Sequence, residues 1–271
     1  METYGVLDRT RVGSAIDRHL EELRWQGFTV LDGVLSSSEV DEARCRLDAV
    51  YRHQCEELGE DFLSSIDEKN LARMPLVDDD WFICLVAHRR VLELAAALIG
   101  DYFILHLQNG ILNVPGQLHH QSSLHRDLPY QEWTSSRALG MSALYCLDDF
   151  SPKTGGTRVI PHSHRFDRCP SEDYASRFTT TVVASAGSVI AFDAMLFHGS
   201  GPNQSDTVRR GINHTYVAPI LKQQIDLPRA LERKFADDPI LARLLGYESA
   251  VAPSVAAWRH NRRKRVSPKR V

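Results

Sequence analysis

The sequence predicts a mainly β fold with flanking helices, an antiparallel sandwich or barrel behind a helical N-terminal part. Three observations predict it. Apolar residues recur with helical spacing in 14–25, about 37–58 and 81–99. Short apolar runs broken by Gly, Pro, Asn and Asp fill residues 101–218, among them YFILHLQNGILNV, LGMSALYCL, GSVIAF and RRGINHTYVAP. Helical sequence then returns at about 228–247.

Taken in order, SAIDRHLEELRW (14–25) places Ile16, Leu20 and Leu23 on one helical stripe that Gly27 ends. FTVLDGVL (28–35) is short, apolar and β-branched enough for a strand. Ser36, with Glu39 three residues on, makes a capping box for a helix over about 37–58, whose apolar face is Val40, Ala43, Leu47 and Val50. Residues 59–80 are polar and acidic and read as a loop or short helix. WFICLVAHRRVLELAAALI (81–99) reads as a helical region stopped by Gly100. The basic end, WRHNRRKRVSPKR, reads as a solvated, partly disordered tail, with a polybasic interaction patch as the alternative.

Bulk composition excludes several classes. Of 271 residues, 43 % are apolar and 25 % charged, ordinary for a globular chain with a filled core. A formal net charge of −3 gives the molecule as a whole no electrostatic reason to bind nucleic acid or a membrane surface. Cys45, Cys55, Cys84, Cys146 and Cys169 are scattered and form no C-x-x-C, which argues for a reducing cytosol over a disulfide framework or a zinc knuckle. No apolar run is long enough to span a bilayer, and METYGVLDRTRVGS lacks an apolar signal core, so the expected location is cytoplasmic.

The chemistry concentrates in SSLHRDLPYQEW. His125 and Asp127 are separated by one residue, and on extended backbone they project from the same face. A third ligand must come from elsewhere, and His198 in AFDAMLFHGSG is the candidate. Two histidines and one carboxylate leave metal positions open, which fits iron(II) binding a co-substrate and dioxygen together, whereas structural zinc would be closed by four ligands. His119, His120, His162, His164 and His214 stand as weaker third-ligand candidates.

Eleven residues after His198 stands Arg209. A dicarboxylate held at the metal by one end buries its other carboxylate, which calls for a bidentate cationic partner. If 208–217 is a strand, Arg209, Gly211, Asn213 and Thr215 share a polar face suited to a pocket wall, and Arg210 faces away. Ser200 could donate to the same carboxylate. Asn109 and Asn113, four apart on an earlier strand, could hydrogen-bond the metal-chelating end. Arg126, Tyr130, Trp133 and Arg158 are candidates for the mouth of the substrate pocket.

Over residues 24–218 this pattern resembles the phytanoyl-CoA dioxygenase family, which includes phytanoyl-CoA hydroxylase and ectoine hydroxylase. The resemblance is carried by RWQGFTVLDGVLSSSEV, LNVPGQLHHQSSLHRDLPY, GGTRVIPHSHR and GSVIAFDAMLFHGSGPNQSDTVRR. It implies a double-stranded β-helix (jelly-roll, cupin-like) core, with iron(II), 2-oxoglutarate and dioxygen as cofactor and co-substrates. It also supports Arg209 over Arg210 and puts Tyr130 near the co-substrate. One departure is His162, where the family's turn carries glycine, so the turn is expected to differ locally. Asp127 stands where halogenating relatives carry a small residue, so its presence favours hydroxylation.

Residues 1–271 are thus expected to form one oxygenase domain: a helical part over 1–100, a jelly-roll core over 101–218, and a helical segment with basic tail over 219–271. The expected partner is a small-molecule substrate, with neither nucleic acid nor membrane, and monomer or homo-oligomer left open. The same chemistry ending in desaturation, cyclisation or ketone formation, and a jelly-roll binding protein without turnover, are the alternatives.

Overall fold

The protein is described by a computed structural model covering residues 10–117, 120–128 and 132–266. It opens with α1 (Ala15–Trp25), capped by Ser14, then β1 (Phe28–Leu31) and α2 (Ser37–Leu58). The expected capping box is present in full: the Ser36 hydroxyl accepts from the Glu39 N–H, and the Glu39 carboxylate accepts from the Ser36 N–H at 2.7 Å. That stretch satisfies two otherwise orphaned donors at the start of a long helix.

Residues 59–80 hold short helices, one of the two expected readings, and an unexpected strand. They form α3 (Glu60–Ser65), β2 (Leu71–Arg73) and α4 (Pro75–Asp78). A three-residue strand is too short to show a period of two, which is why the sequence did not reveal β2. The expected helical region of 81–99 is broken at Ala87–His88 into α5 (Ile83–Val86) and α6 (Arg89–Ile99).

From β3 (Ile104–Asn113) the chain is strand-rich: β4 (Gly140–Cys146), β5 (Thr157–Val159), then α7 (Glu172–Phe178), β6 (Thr180–Thr181), β7 (Val189–Asp193), β8 (His198–Ser200) and β9 (Arg209–Val217). The end contains α8 (Leu227–Ala230), α9 (Pro239–Leu244) and α10 (Val255–Val266), so the basic segment is helical as far as 266.

The strands form a six-stranded antiparallel sheet, β1-β7-β4-β9-β3-β2, and a three-stranded sheet, β6-β5-β8. The large sheet is closed on one side by a strand of four residues and on the other by one of three. A bridge between His125 and His198 extends the small sheet by one more segment. This is the jelly-roll arrangement, with helices laid on the outer face of the large sheet.

Alternation along the central strands makes two cores. The outer face packs Tyr145, Ala191, Ile212 and Tyr216 against Leu47, Leu85 and Leu94 of the helices. Tyr145 and Tyr216 reach through this layer to donate to the carbonyls of Leu85 and Val86 at 2.7 and 2.8 Å, which satisfies both hydroxyls. The inner face packs Ile111, Leu144, Ile190 and Phe192 against Val159 of the small sheet and Val182 just beyond β6. Each fully buried Leu, Ile or Phe contributes about 2 kcal/mol, so both layers fix the sandwich. The polar site lies at the open end of the inner layer.

Candidate metal centre

Strand pairing brings His125 and His198 together. The His125 N–H donates to the His198 carbonyl at 2.9 Å, and the reverse bond is 3.0 Å. The two rings therefore project side by side, with centroids 4.4 Å apart. Asp127 is held by its own N–H on the Ala194 carbonyl at 3.1 Å. One ligand atom from each of His125, Asp127 and His198 lies within 4.8 Å of the others. Asp127 Oδ1 stands 3.5 Å from His198 Nε2 and 3.9 Å from His125 Nε2.

The surroundings fix which atoms face the shared point. His125 Nδ1 lies 2.8 Å from the Ser123 carbonyl and His198 Nδ1 3.0 Å from the Leu196 carbonyl. A carbonyl only accepts, so each Nδ1 carries a hydrogen, and in its neutral form each ring presents an Nε2 lone pair for a metal. Asp127 Oδ2 accepts from the Ser142 hydroxyl, from Asn213 Nδ2 at 2.9 Å and from the Thr215 hydroxyl at 3.4 Å. Oδ1 is left for the imidazoles. Burial pushes the Asp127 carboxyl up, but His198, His125 and the Ser142 hydroxyl outweigh it and hold it well below the usual carboxylate range. Asp127 and His198 are 9 % and 8 % exposed and His125 is 30 % exposed, so the group opens on the His125 side. Three such donors could hold a divalent metal ion with positions free for ligands.

Arg209 shares the narrow cleft that these residues line. It is 2 % exposed, and its Nη2 donates to the Gly155 carbonyl at 2.9 Å and the Ser200 hydroxyl at 2.8 Å. Its guanidinium carbon lies 4.2 Å over the Phe150 ring. Nε has no partner among the described residues, and burial lowers the pKa to about 10. No carboxylate of the described residues pairs with it. Arg210 faces the other way, into a bidentate pair with Asp48 of α2 at 2.8 and 3.0 Å.

Other expectations meet mixed outcomes. Asn109 lines the cleft; with its amide turned over, its nitrogen donates to the Gln108 carbonyl at 2.9 Å and its oxygen accepts from Arg73 Nη1 at 2.8 Å. Asn113 does not line it: its Nδ2 donates to the Gly155 and Gly201 carbonyls at 3.2 and 3.0 Å, pinning the loop behind Arg209. Arg126, expected at the pocket mouth, is buried and points away, because it alternates with His125 and Asp127. Its guanidinium donates to the carbonyls of Met195 (2.8 Å), Trp133 (2.9 Å), Ser163 (3.3 Å) and Phe166, and lies 4.1 Å over the Phe197 ring. Arg158 likewise does not line the cleft; its Nη2 donates to the Ser122 and Ser200 carbonyls at 2.8 and 3.2 Å. The Trp133 ring is half exposed, and Tyr130 lies outside the described residues.

Of the competing histidines, His162 turns to the Trp25 carbonyl, His164 sits beside Gly27, and His214 is on the outer face against Gln108; none joins the group. His119 lies outside the described residues, as does the side chain of His120. His162 has φ +68°, in the left-handed region that glycine adopts most easily. Sequence reading missed Ser142, Asn213 and Thr215 as partners of Asp127 and Gln121 as a cleft residue. The polar alternation along β9 carried the signal for Asn213 and Thr215; nothing in the pattern marked Ser142 or Gln121.

The sequence model of the phytanoyl-CoA dioxygenase (PhyH) family matches residues 23–211. The chain belongs to this family. The family match spans the triad and the buried arginine alike. An uncharacterized protein of Mycobacterium tuberculosis, Rv1501, is 29 % identical over 89 % of this chain and 90 % of its own length. Among solved structures, EctD from S. alaskensis, bound to 2-oxoglutarate and 5-hydroxyectoine, is similar with TM-score 0.65 and 24 % identity over 79 % of this chain and 82 % of that one. The epimerase SnoN, in complex with Fe3+, alpha ketoglutarate and nogalamycin RO, is similar with TM-score 0.59 and 19 % identity over 76 % of this chain and 84 % of that one. Both show the fold. Among the described residues no helix is long and apolar enough to cross a membrane.

Proposed function

We propose that this family member is an iron(II)- and 2-oxoglutarate-dependent dioxygenase that hydroxylates an unactivated carbon of a small-molecule metabolite. One observation carries the reading: a buried guanidinium without an anionic partner lines the same cleft as a two-histidine, one-carboxylate group. A cation removed from water at such cost calls for a carboxylate brought by a ligand. The donor set fits iron(II): imidazole nitrogen and carboxylate oxygen suit it, and three ligands on one side leave room for a chelating co-substrate.

When bound, iron(II) supplies activation of dioxygen, with 2-oxoglutarate consumed to succinate and carbon dioxide. The protein's own residues supply the rest. His125, Asp127 and His198 hold the metal, and the Ser123 and Leu196 carbonyls fix both ring orientations. Arg209 and the Ser200 hydroxyl receive the distal carboxylate of 2-oxoglutarate. Ile111, Leu144 and Phe192 form an apolar wall that keeps water from the inner end. Gln121 remains to orient the co-substrate or the substrate by hydrogen bonds, beside Asn109, whose amide is tied to the Gln108 carbonyl and Arg73.

Two variants test the assignment. Arg209→Ala should raise the 2-oxoglutarate concentration needed for succinate formation about a hundredfold while iron binding stays as in the parent. Arg210→Ala should leave that requirement unchanged and lower stability by about 1 kcal/mol through loss of the Asp48 pair. The reverse pattern would overturn the role of Arg209. Mass analysis of the product separates gain of one oxygen from loss of two hydrogens, the mark of the desaturating or cyclising alternative.

A further inference from the structure

A second cleft, partly open to solvent, lies on the far face of β7 and shares no lining residue with the metal cleft. Phe192 faces the metal side and the adjacent Asp193 faces this one, as strand alternation requires. The ends of α1 and α6 and the 135–138 and 164–165 turns form its walls.

The cleft is graded from floor to rim. Asp193 and Leu23 are buried, Leu98 and Ile99 half-buried, and Arg24, Arg137 and Arg165 exposed. Asp193 Oδ1 accepts from the Met195 N–H at 2.9 Å. Its carboxylate is 7 % exposed and has no ion pair among the described residues. Burial pushes its pKa up to about 6, against the pull of the Met195 N–H, Arg165 and Arg126. The side chains of Arg24 and Arg137 likewise have no carboxylate partner among the described residues. Arg165 spends its guanidinium on His164 Nε2 and the Arg24 carbonyl.

An unpaired carboxylate on a buried floor and unpaired guanidiniums on the rim are complementary to one molecule carrying both charges. The C-terminal end of α6 at the wall adds partial negative charge, which favours a cation beside it. The rim arginines match a carboxylate. Between them, Leu23, Leu98 and Ile99 offer an apolar wall.

We propose that this cleft binds a small zwitterion with an apolar body, an α-amino acid being the simplest, its ammonium on Asp193 and its carboxylate toward Arg24 and Arg137.

Calorimetric titration of the full chain tests this with L-leucine, 4-methylpentanoate, which lacks the ammonium, and isopentylamine, which lacks the carboxylate. L-Leucine should bind saturably at one site, and each half-charged analogue at least about tenfold more weakly. Asp193→Asn keeps the shape and the Met195 contact and should weaken L-leucine at least about tenfold. Exposed Arg137→Ala, which no fold contact opposes, should also weaken it, with metal binding at the triad unchanged in both. Absence of saturable L-leucine binding, or equal binding of L-leucine by the parent, Asp193→Asn and Arg137→Ala proteins, overturns the proposal and leaves Asp193 as a turn residue only.

Discussion

Asp127 cannot turn without stranding the groups that grip it. Ser142, Asn213 and Thr215 all donate to Oδ2, which is how Oδ1 comes to face His125 and His198. Removing one of these donors should loosen the carboxylate while sparing the fold. Ser142→Ala is therefore expected to weaken iron(II) affinity about ten- to a hundredfold, read by metal titration, with the unfolding midpoint little changed. At His162 the issue is backbone shape. A histidine at φ +68° bears a strain of about 1 kcal/mol that its Nδ1 contact with the Trp25 carbonyl, 2.7 Å long, helps offset. His162→Gly should change stability by less than about 1 kcal/mol, whereas His162→Val, β-branched in a left-handed position, should cost about 2 kcal/mol or more in urea unfolding.

Between elements, Arg126 acts as a bolt on the outer side of the ligand segment. Its guanidinium gathers carbonyls from Met195, Trp133, Ser163 and Phe166, so the stretches flanking both ends of the triad are tied to one side chain. Arg126→Met would leave several buried acceptors without donors; a loss of about 3 kcal/mol is expected in chemical denaturation, together with weaker metal binding. Gly199 serves the same junction by absence. A Cβ there would stand 2.9 Å from the Ser123 carbonyl and 3.1 Å from that of Ser122, so only glycine lets the His125 segment cross β8 so closely.

These elements also show what the sequence could reveal. The capping box of α2 and the polar alternation of β9 are local patterns, and local patterns are visible along a chain. The triad was legible because H-x-D is a same-face pair and His198 sits where a strand meets a glycine turn. Arg126 was misread as a pocket residue because its direction depends on which face of 125–127 meets the cleft. Asn113 was misread because its amide answers to Gly155 and Gly201, distant carbonyls that no spacing announces. β2 and the break in 81–99 escaped because elements of three and four residues are too short to repeat the periods of two and 3.6 that signal a strand or a helix.

For the molecule as a whole, buried histidines govern the response to acid. Burial lowers His164 to about 4 and His214 to about 3, from an ordinary value of 6.5. Between those values and 6.5 the unfolded chain binds more protons than the folded one. The stability that both neutral rings confer is therefore complete above pH 6.5 and is lost as pH falls toward 4 and 3. Asp193, raised to about 6, works in the opposite sense: the folded state holds its proton between about 3.8 and 6 and gains stability as pH falls through that range. Two histidines outweigh one carboxylate, so the urea midpoint should drop between pH 6.5 and 4. His214→Gln should flatten that drop and Asp193→Asn should steepen it.

The large sheet ends in β1 and β2, strands of four and three residues. A foreign extended segment arriving at either margin would find only a few free amide and carbonyl groups to pair with, too few to offset the entropy of lining up. Growth of the sheet from one molecule into the next is discouraged by strand length alone, and the protein should stay dispersed at concentrations where a long bare margin would seed aggregates.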